Sequence, residues 1–228
     1  MKKTARLLLM LFVLASLIVV GRDRMLMHAS ADDGKKHGSD ASDVSDPSET
    51  ERNPEAPEEI ASVIREELKL FPIPQSISHP DYRADFEDSW MSTRTFGGER
   101  GHEGTDIMLT PNERGLFPVL SMTDGIVEKK GWLPQGGYRL GIRSDGGIYY
   151  YYAHFYDYAD DIEVGASVAS GQLLGFAGDS GYSNIEGTVG NFPVHLHIGI
   201  YYNNEQGIET AVNPYPFLVP LEPLIMDY

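Results

Sequence analysis

The sequence predicts a mainly β protein: a compact antiparallel sheet or sandwich domain, preceded by an N-terminal hydrophobic segment, a disordered acidic linker and one amphipathic helix. Three observations predict it. Beyond Trp90 the chain changes to short β-branched and aromatic runs parted by glycine, the texture of strands and tight turns. Within several of those runs apolar and polar residues alternate, the period of a strand with one buried face. The hydrophobic fraction, 41% of 228 residues, is enough to build a core.

Composition also removes whole classes of function. Lys and Arg number 18 against 34 Asp and Glu, a net charge of -16, so there is no broad basic face for phosphates and nucleic acid is excluded as a partner. The absence of cysteine removes disulfides, thiolate zinc fingers, iron–sulfur clusters and cysteine nucleophiles. Any metal must therefore be held by histidine and carboxylate.

Residues 1–31 read as a signal peptide or membrane anchor. Lys2, Lys3 and Arg6 precede 14 uncharged residues, Leu7 to Val20, the length of a secretory apolar region, and Ala29-Ser30-Ala31 offers a small-residue cleavage site. Arg22, Asp23 and Arg24 lie between the two, which leaves an uncleaved tether through residues 7–20 open. Either way the rest of the chain is expected outside the cytoplasm, because the positive flank stays inside. Residues 32–54 are Asp, Ser, Glu, Gly and Lys with almost no large apolar group, and cannot offset their ordering entropy. His28 and His37 in or beside this zone read as solvated. Within residues 55–91, Pro57, Glu58 and Glu59 open a helix carrying Ile60, Val63, Ile64 and Leu68 on one stripe, ended by Pro72 and Pro74.

Residues 92–228 form the expected domain and its C-terminal tail. Strands are predicted at Val119–Met122, Gly125–Gly131, Tyr138–Arg143, Ile148–Phe155, Gln172–Ala177 and Val194–Tyr202, with Ser144-Asp145-Gly146-Gly147 as a hairpin turn. Similar valine and glycine spacing in the stretches from Pro118 and from Val164 suggests one hairpin used twice. Four histidines fall in this zone. In the last strand His195, His197 and Gly199 share one face and Leu196, Ile198 and Ile200 the other, so two imidazoles sit about 6.5 to 7 Å apart on a rigid element. A surface strand with two polar residues would read the same way. Glycines around His102 and Asp106 imply a turn feeding a strand, where both can close on a metal together with one histidine of the pair. Glu103, the competing acid, points away in an extended chain. In Tyr149-Tyr150-Tyr151-Tyr152-Ala153-His154-Phe155, alternation groups Tyr150, Tyr152 and His154 on one face, a composition equally suited to a core. His79, in a Ser-His-Pro-Asp turn, reads as solvated.

Taken in order and at these distances, His102-x-x-x-Asp106, Tyr152-Ala153-His154, the Val164-Gly165 to Gly181 run and His195-Leu196-His197 resemble the lysostaphin-type (LytM-like) zinc endopeptidases that cut the peptide part of bacterial peptidoglycan. The resemblance covers about residues 92–202. It implies a compact antiparallel β domain with zinc in a groove, His102, Asp106 and His197 as metal ligands, and His154 and His195 as non-ligand catalytic histidines. It leaves open which of these two is the base and which the oxyanion donor. The implied partner is a peptidoglycan peptide, stem or cross-bridge, and the implied place is extracytoplasmic, facing the cell wall. This chain departs from the family in the longer connection from Tyr182 to Pro193 and in the proline-rich tail from Asn203 to Tyr228.

Other chemistries find no support. The chain has no His-Glu-x-x-His helix and no Gly-x-Ser-x-Gly elbow. A biotinyl- or lipoyl-like carrier needs a lysine at its hairpin tip, and Gly165–Gly181 contains none. A catalytically silent scaffold, or an activator of a wall hydrolase or envelope complex, is the alternative, because fold does not fix function. Degenerate relatives of that kind lack ligands, and none of the five residues is missing here.

Overall fold

Proline and two acids at one end and a proline pair at the other confine the one long helix among the described residues. In a computed structural model describing residues 56–228, α1 runs Glu58–Glu67, with Glu58 and Glu59 in its first turn and Arg65 in its last. The expectations for residues 1–31 and 32–54 lie outside the described residues. Ala61 and Ile64 bury the apolar stripe of α1. Its last residue ties the helix to the sheet. Glu67 accepts hydrogen bonds from the Tyr150 hydroxyl (3.0 Å) and the Gly146 N–H (2.8 Å). A side chain at Gly146 would collide with that carboxylate and with Val63, which accounts for glycine in the turn.

The strands follow in chain order: β1 (Phe71–Ser76), β2 (Arg83–Phe86), β3 (Thr93–Arg94), β4 (Arg100–Gly101), β5 (Thr105–Thr110), β6 (Pro118–Leu120), β7 (Gly125–Leu133), β8 (Gly137–Arg143), β9 (Tyr149–Tyr158), β10 (Ser167–Val168), β11 (Leu173–Ala177), β12 (His195–Asn203), β13 (Glu209–Val212) and β14 (Pro223–Met226), with a single-turn helix α2 (Tyr215–Leu218) before the last. The main sheet is antiparallel in the order β10-β7-β8-β9-β12-β5-β2; β11 pairs with both β6 and β9, and β13 with β12. The fold is thus mainly β, as its runs of alternating residues predict. The two similar stretches pair crosswise, β10 on β7 and β11 on β6. The proline-rich tail returns to the start of the domain, where β14 lies parallel to β1 and the Tyr228 hydroxyl donates to the Pro74 carbonyl (3.0 Å). Among the described residues no helix is long and apolar enough to cross a membrane.

One face of the sheet makes the core. Leu196, Ile198 and Ile200 of β12 are fully buried with Ile107, Leu140, Ile142, Tyr150 and Tyr152, so the alternation expected in β12 holds. Tyr152 keeps its hydroxyl satisfied in that core by accepting the Met122 N–H (3.0 Å). The opposite face of the central strands is left to form a groove.

Strict alternation fails in β9. Tyr150 and Tyr152 do share the core face, but His154 leaves it and lines the groove with Tyr151 and Ala153, while Phe155 takes the core position. The cause is a bulge. Along β8 the partners advance two residues, Tyr138 to Leu140, while along β9 they span three, Phe155 back to Tyr152. His154 carries the extra residue with a φ of 70°, in the left-handed region that side chains other than glycine rarely occupy. Its N–H still bonds, to the Gly136 carbonyl (2.9 Å), so the strain is held by the turn that leads into β8.

Candidate active site

Strand register builds the centre of the groove. His197 of β12 stands opposite Asp106 of β5 on one side and Ala153 of β9 on the other, and directly paired residues present their side chains to the same face. His102 precedes Asp106 by a short turn and is fixed through its own backbone, its N–H donating to the Ser92 carbonyl (3.0 Å). Gly104 lies between them. Any side chain there would collide with the His197 ring and with the Ile198 carbonyl, so the chain passes behind the imidazole only because this residue has no Cβ. Gly199, by contrast, leaves no open space beside the histidines, as the Tyr201 ring fills the place where its Cβ would stand.

Three atoms converge. His102 Nε2 lies 3.0 Å from His197 Nδ1 and 3.1 Å from Asp106 Oδ1, and His197 Nδ1 lies 2.9 Å from the same oxygen. His102 Nδ1 faces the Ser89 carbonyl at 3.1 Å; a carbonyl only accepts, so Nδ1 carries a proton and Nε2 is the nitrogen that faces the cluster. Two imidazole nitrogens and a carboxylate oxygen are the donors that zinc takes, and donors bound at its usual lengths around a tetrahedral centre lie about 3.3 Å apart. Spacings of 2.9 to 3.1 Å therefore fit one divalent cation. Arg94 orients the carboxylate, donating to Asp106 Oδ2 at 2.8 Å so that Oδ1 turns to the imidazoles.

His154 and His195 stand beside this cluster with their rings 4.6 Å apart. His154 Nδ1 is 2.7 Å from the Ser180 carbonyl and His195 Nδ1 is 2.8 Å from the Pro193 carbonyl. In both rings the proton is therefore on Nδ1, and Nε2 is left to accept one. His195 Nε2 is 3.8 Å from Asp106 Oδ1. Burial drives His154 well below its ordinary value of about 6.5, and the neighbouring His195 and His197 push the same way. Burial also lowers His197, against the pull of Asp106. For Asp106 burial acts upward, but hydrogen bonding with His102 and His197 outweighs it and holds the carboxyl far below the usual carboxylate range. At neutral pH His154 and His197 are thus neutral imidazoles and Asp106 is ionised.

A stability consequence follows for the metal-free protein. The unfolded chain takes up a proton at His154 near pH 6.5 that the fold does not, so stability rises with pH up to about 6.5 and is lost as pH falls below it. Melting temperature measured from pH 7.5 to 5 is expected to fall, and to fall less steeply in His154→Gln.

The groove around the cluster encloses about 510 Å³. Its walls are the part that sequence reasoning missed. Tyr151 meets the His197 ring edge-on at 5.8 Å. Tyr182 and Phe192 from the long connection pack on His154 at 6.0 and 4.7 Å, and Phe96 stacks flat on Tyr182 at 5.1 Å. Asp179 secures that connection, accepting from Arg114 and from the Gly190 N–H, each at 2.9 Å. Alternation along β9 marked Tyr151 as a neighbour of Ala153; no local signal marked Ser89, Arg94 or the aromatic loop. Glu103 is exposed, as expected, and His79 is exposed and stacked on Tyr82, outside the site.

The profile of Peptidase family M23 matches residues 100–214, half of the chain. An L-Ala–D-Glu endopeptidase of Bacillus subtilis (strain 168) is 44% identical over 148 residues, 65% of this chain and 42% of the relative. Lysostaphin of Staphylococcus simulans is 29% identical over 119 residues, 51% of this chain and 21% of its own length. A crystal structure from Ruminococcus gnavus, provisionally described as a LytM glycyl-glycine endopeptidase, superposes with a TM-score of 0.66 at 51% identity, covering 72% of this chain and 65% of that one. This chain therefore spans less than half the length of both curated relatives. With its residues 100–214 matched and the convergent His-Asp-His cluster inside that span, the chain belongs to peptidase family M23.

Proposed function

We propose that the protein is a zinc-dependent endopeptidase hydrolysing peptide bonds of bacterial cell-wall peptidoglycan. The observation that carries this reading is the convergence of His102 Nε2, Asp106 Oδ1 and His197 Nδ1, with two further imidazoles at its edge. The relatives support it, the Bacillus subtilis protein being named an L-Ala–D-Glu endopeptidase and the Ruminococcus gnavus structure being described as a glycyl-glycine endopeptidase. The active domain lies within residues 92–228. Residues 1–31, as a signal or anchor through residues 7–20, would deliver it outside the cytoplasm, with residues 32–54 as tether and 55–91 as lead-in.

Zinc held by His102, Asp106 and His197 would lower the pKa of a bound water to about 7 and polarise the scissile carbonyl. The rest is the work of this chain. The groove seats an extended peptide, and Arg94 and the Ser89 carbonyl keep the Asp106 and His102 side chains aimed. His154 and His195, each held through Nδ1 with Nε2 toward the groove centre, divide between them acceptance of the nucleophile's proton and its delivery to the leaving amine. Backbone carbonyls of Ser180 and Pro193 fix their tautomers.

Digestion of purified peptidoglycan by the zinc-loaded full chain tests the proposal. Mass spectrometry should reveal new peptide amino termini; fragments indistinguishable from undigested wall would refute it.

A further inference from the structure

Residues 89–228 carry a net charge of -10, yet one wall of the groove is cationic. Arg100 of β4, Lys129 of β7 and Arg139 of β8 all line it. Arg139 follows from the pleat. Its neighbour Leu140 is fully buried in the core, so Arg139 emerges on the groove face, two strands from His197 through β9, about 10 Å across the sheet. The Tyr149 ring sits over Gly141 and the Tyr151 hydroxyl over Gly136, so tyrosines line the groove beside Arg139.

Among the described residues, neither Arg100 nor Arg139 makes a salt bridge, whereas most other arginines do: Arg65, Arg83, Arg94, Arg114 and Arg143 are each paired with a carboxylate. The Arg100 side chain reaches only the Gly101 carbonyl, at 3.3 Å. Arg139 Nη1 is buried with no hydrogen-bond partner at all. Of the acids that share the groove, Asp106 is engaged by Arg94 and the imidazoles and Glu209 by Arg143 at 3.4 Å, while Glu103 is exposed. The rest of the half-buried Arg139 side chain lines the groove with no salt-bridge partner, and a carboxylate is the group that a guanidinium takes with charge-assisted bonds.

We propose that Arg139, assisted by Arg100, is a specificity subsite for a free carboxylate of the substrate peptide. The protein would then act on anionic stem peptides in preference to uncharged glycine bridges. The inference rests on the endopeptidase reading above for its biological sense, but the subsite itself is a binding property and is testable without catalysis.

Three peptides serve: an L-alanyl-D-glutamyl peptide with its free carboxylate, the same peptide with that group amidated, and pentaglycine. Calorimetry on the metal-free full chain should give at least about tenfold tighter binding of the free acid than of the amide, in line with a charge-assisted bidentate bond. In Arg139→Gln that preference should disappear while affinity for the amide stays unchanged; Arg139→Lys should restore part of it, and Arg100→Gln should reduce it. With zinc present, the same split should appear in kcat/KM. Equal affinity of the wild type for acid and amide would overturn the subsite, as would an Arg139→Gln variant that weakens both alike or keeps the preference. A wild type that prefers the acid but cleaves nothing with zinc bound would instead refute the endopeptidase reading and leave the subsite standing.

Discussion

Asp106→Ala is expected to lose metal and activity together. The carboxylate is one corner of a triangle with sides of 2.9 to 3.1 Å, and it is also the group that Arg94 turns toward the imidazoles. Removing it leaves two nitrogens, too few for the three-ligand arrangement catalytic zinc takes, and places the unpaired Arg94 guanidinium beside the cation. Zinc content should drop from one equivalent toward zero. Hydrolysis should fall by nearly the whole catalytic enhancement, roughly 10⁶-fold at the low end for enzymes. The size-conserving Asp106→Asn should behave alike, because the charge is what is lost. Metal analysis after dialysis, paired with release of peptide fragments, checks both; a variant that keeps zinc and cleaves normally contradicts the assignment.

His154→Gln and His195→Gln are expected to separate chemistry from metal binding. Both imidazoles are held through Nδ1 by backbone carbonyls and sit outside the convergent triangle, so zinc should remain at one equivalent. Loss of a positioned proton acceptor or donor costs typically 10²–10⁴-fold, and it should appear in kcat with KM little changed. The double variant should lose much less than the product of the two single effects if the rings act on one proton's path. Loss of zinc in either single variant would make that histidine a ligand and not a proton carrier.

The fold was legible where local pattern decides it. In β12 the alternation of His195 to Ile200 identifies the core face because Leu196, Ile198 and Ile200 all need burial, and the helix was legible from Pro57 and the stripe it opens. Glycine around His102 correctly marked a turn into a strand. Alternation misled at His154, since an inserted residue with positive φ is sustained by the Gly136 carbonyl and the Ser180 carbonyl, partners 18 and 26 positions away that no local window contains. The parallel pairing of β1 with β14 was hidden for the same reason, its registers joining Phe71 to Pro223. Arg94, Ser89 and Arg139 carry no motif. They matter because of where tertiary structure leaves them: one against a carboxylate, one against an imidazole, one with nothing.

The central claim is that three side chains from two strands and a turn close on one cation. A crystal of the protein grown with zinc, with anomalous scattering recorded on both sides of the metal's absorption edge, tests it most directly. The expected result is a single strong site bonded to His102 Nε2, Asp106 Oδ1 and His197 Nδ1 at about 2.0 to 2.2 Å, with His154 and His195 outside bonding distance. Zinc bound elsewhere, or His154 or His195 in the place of one of those ligands, would contradict it.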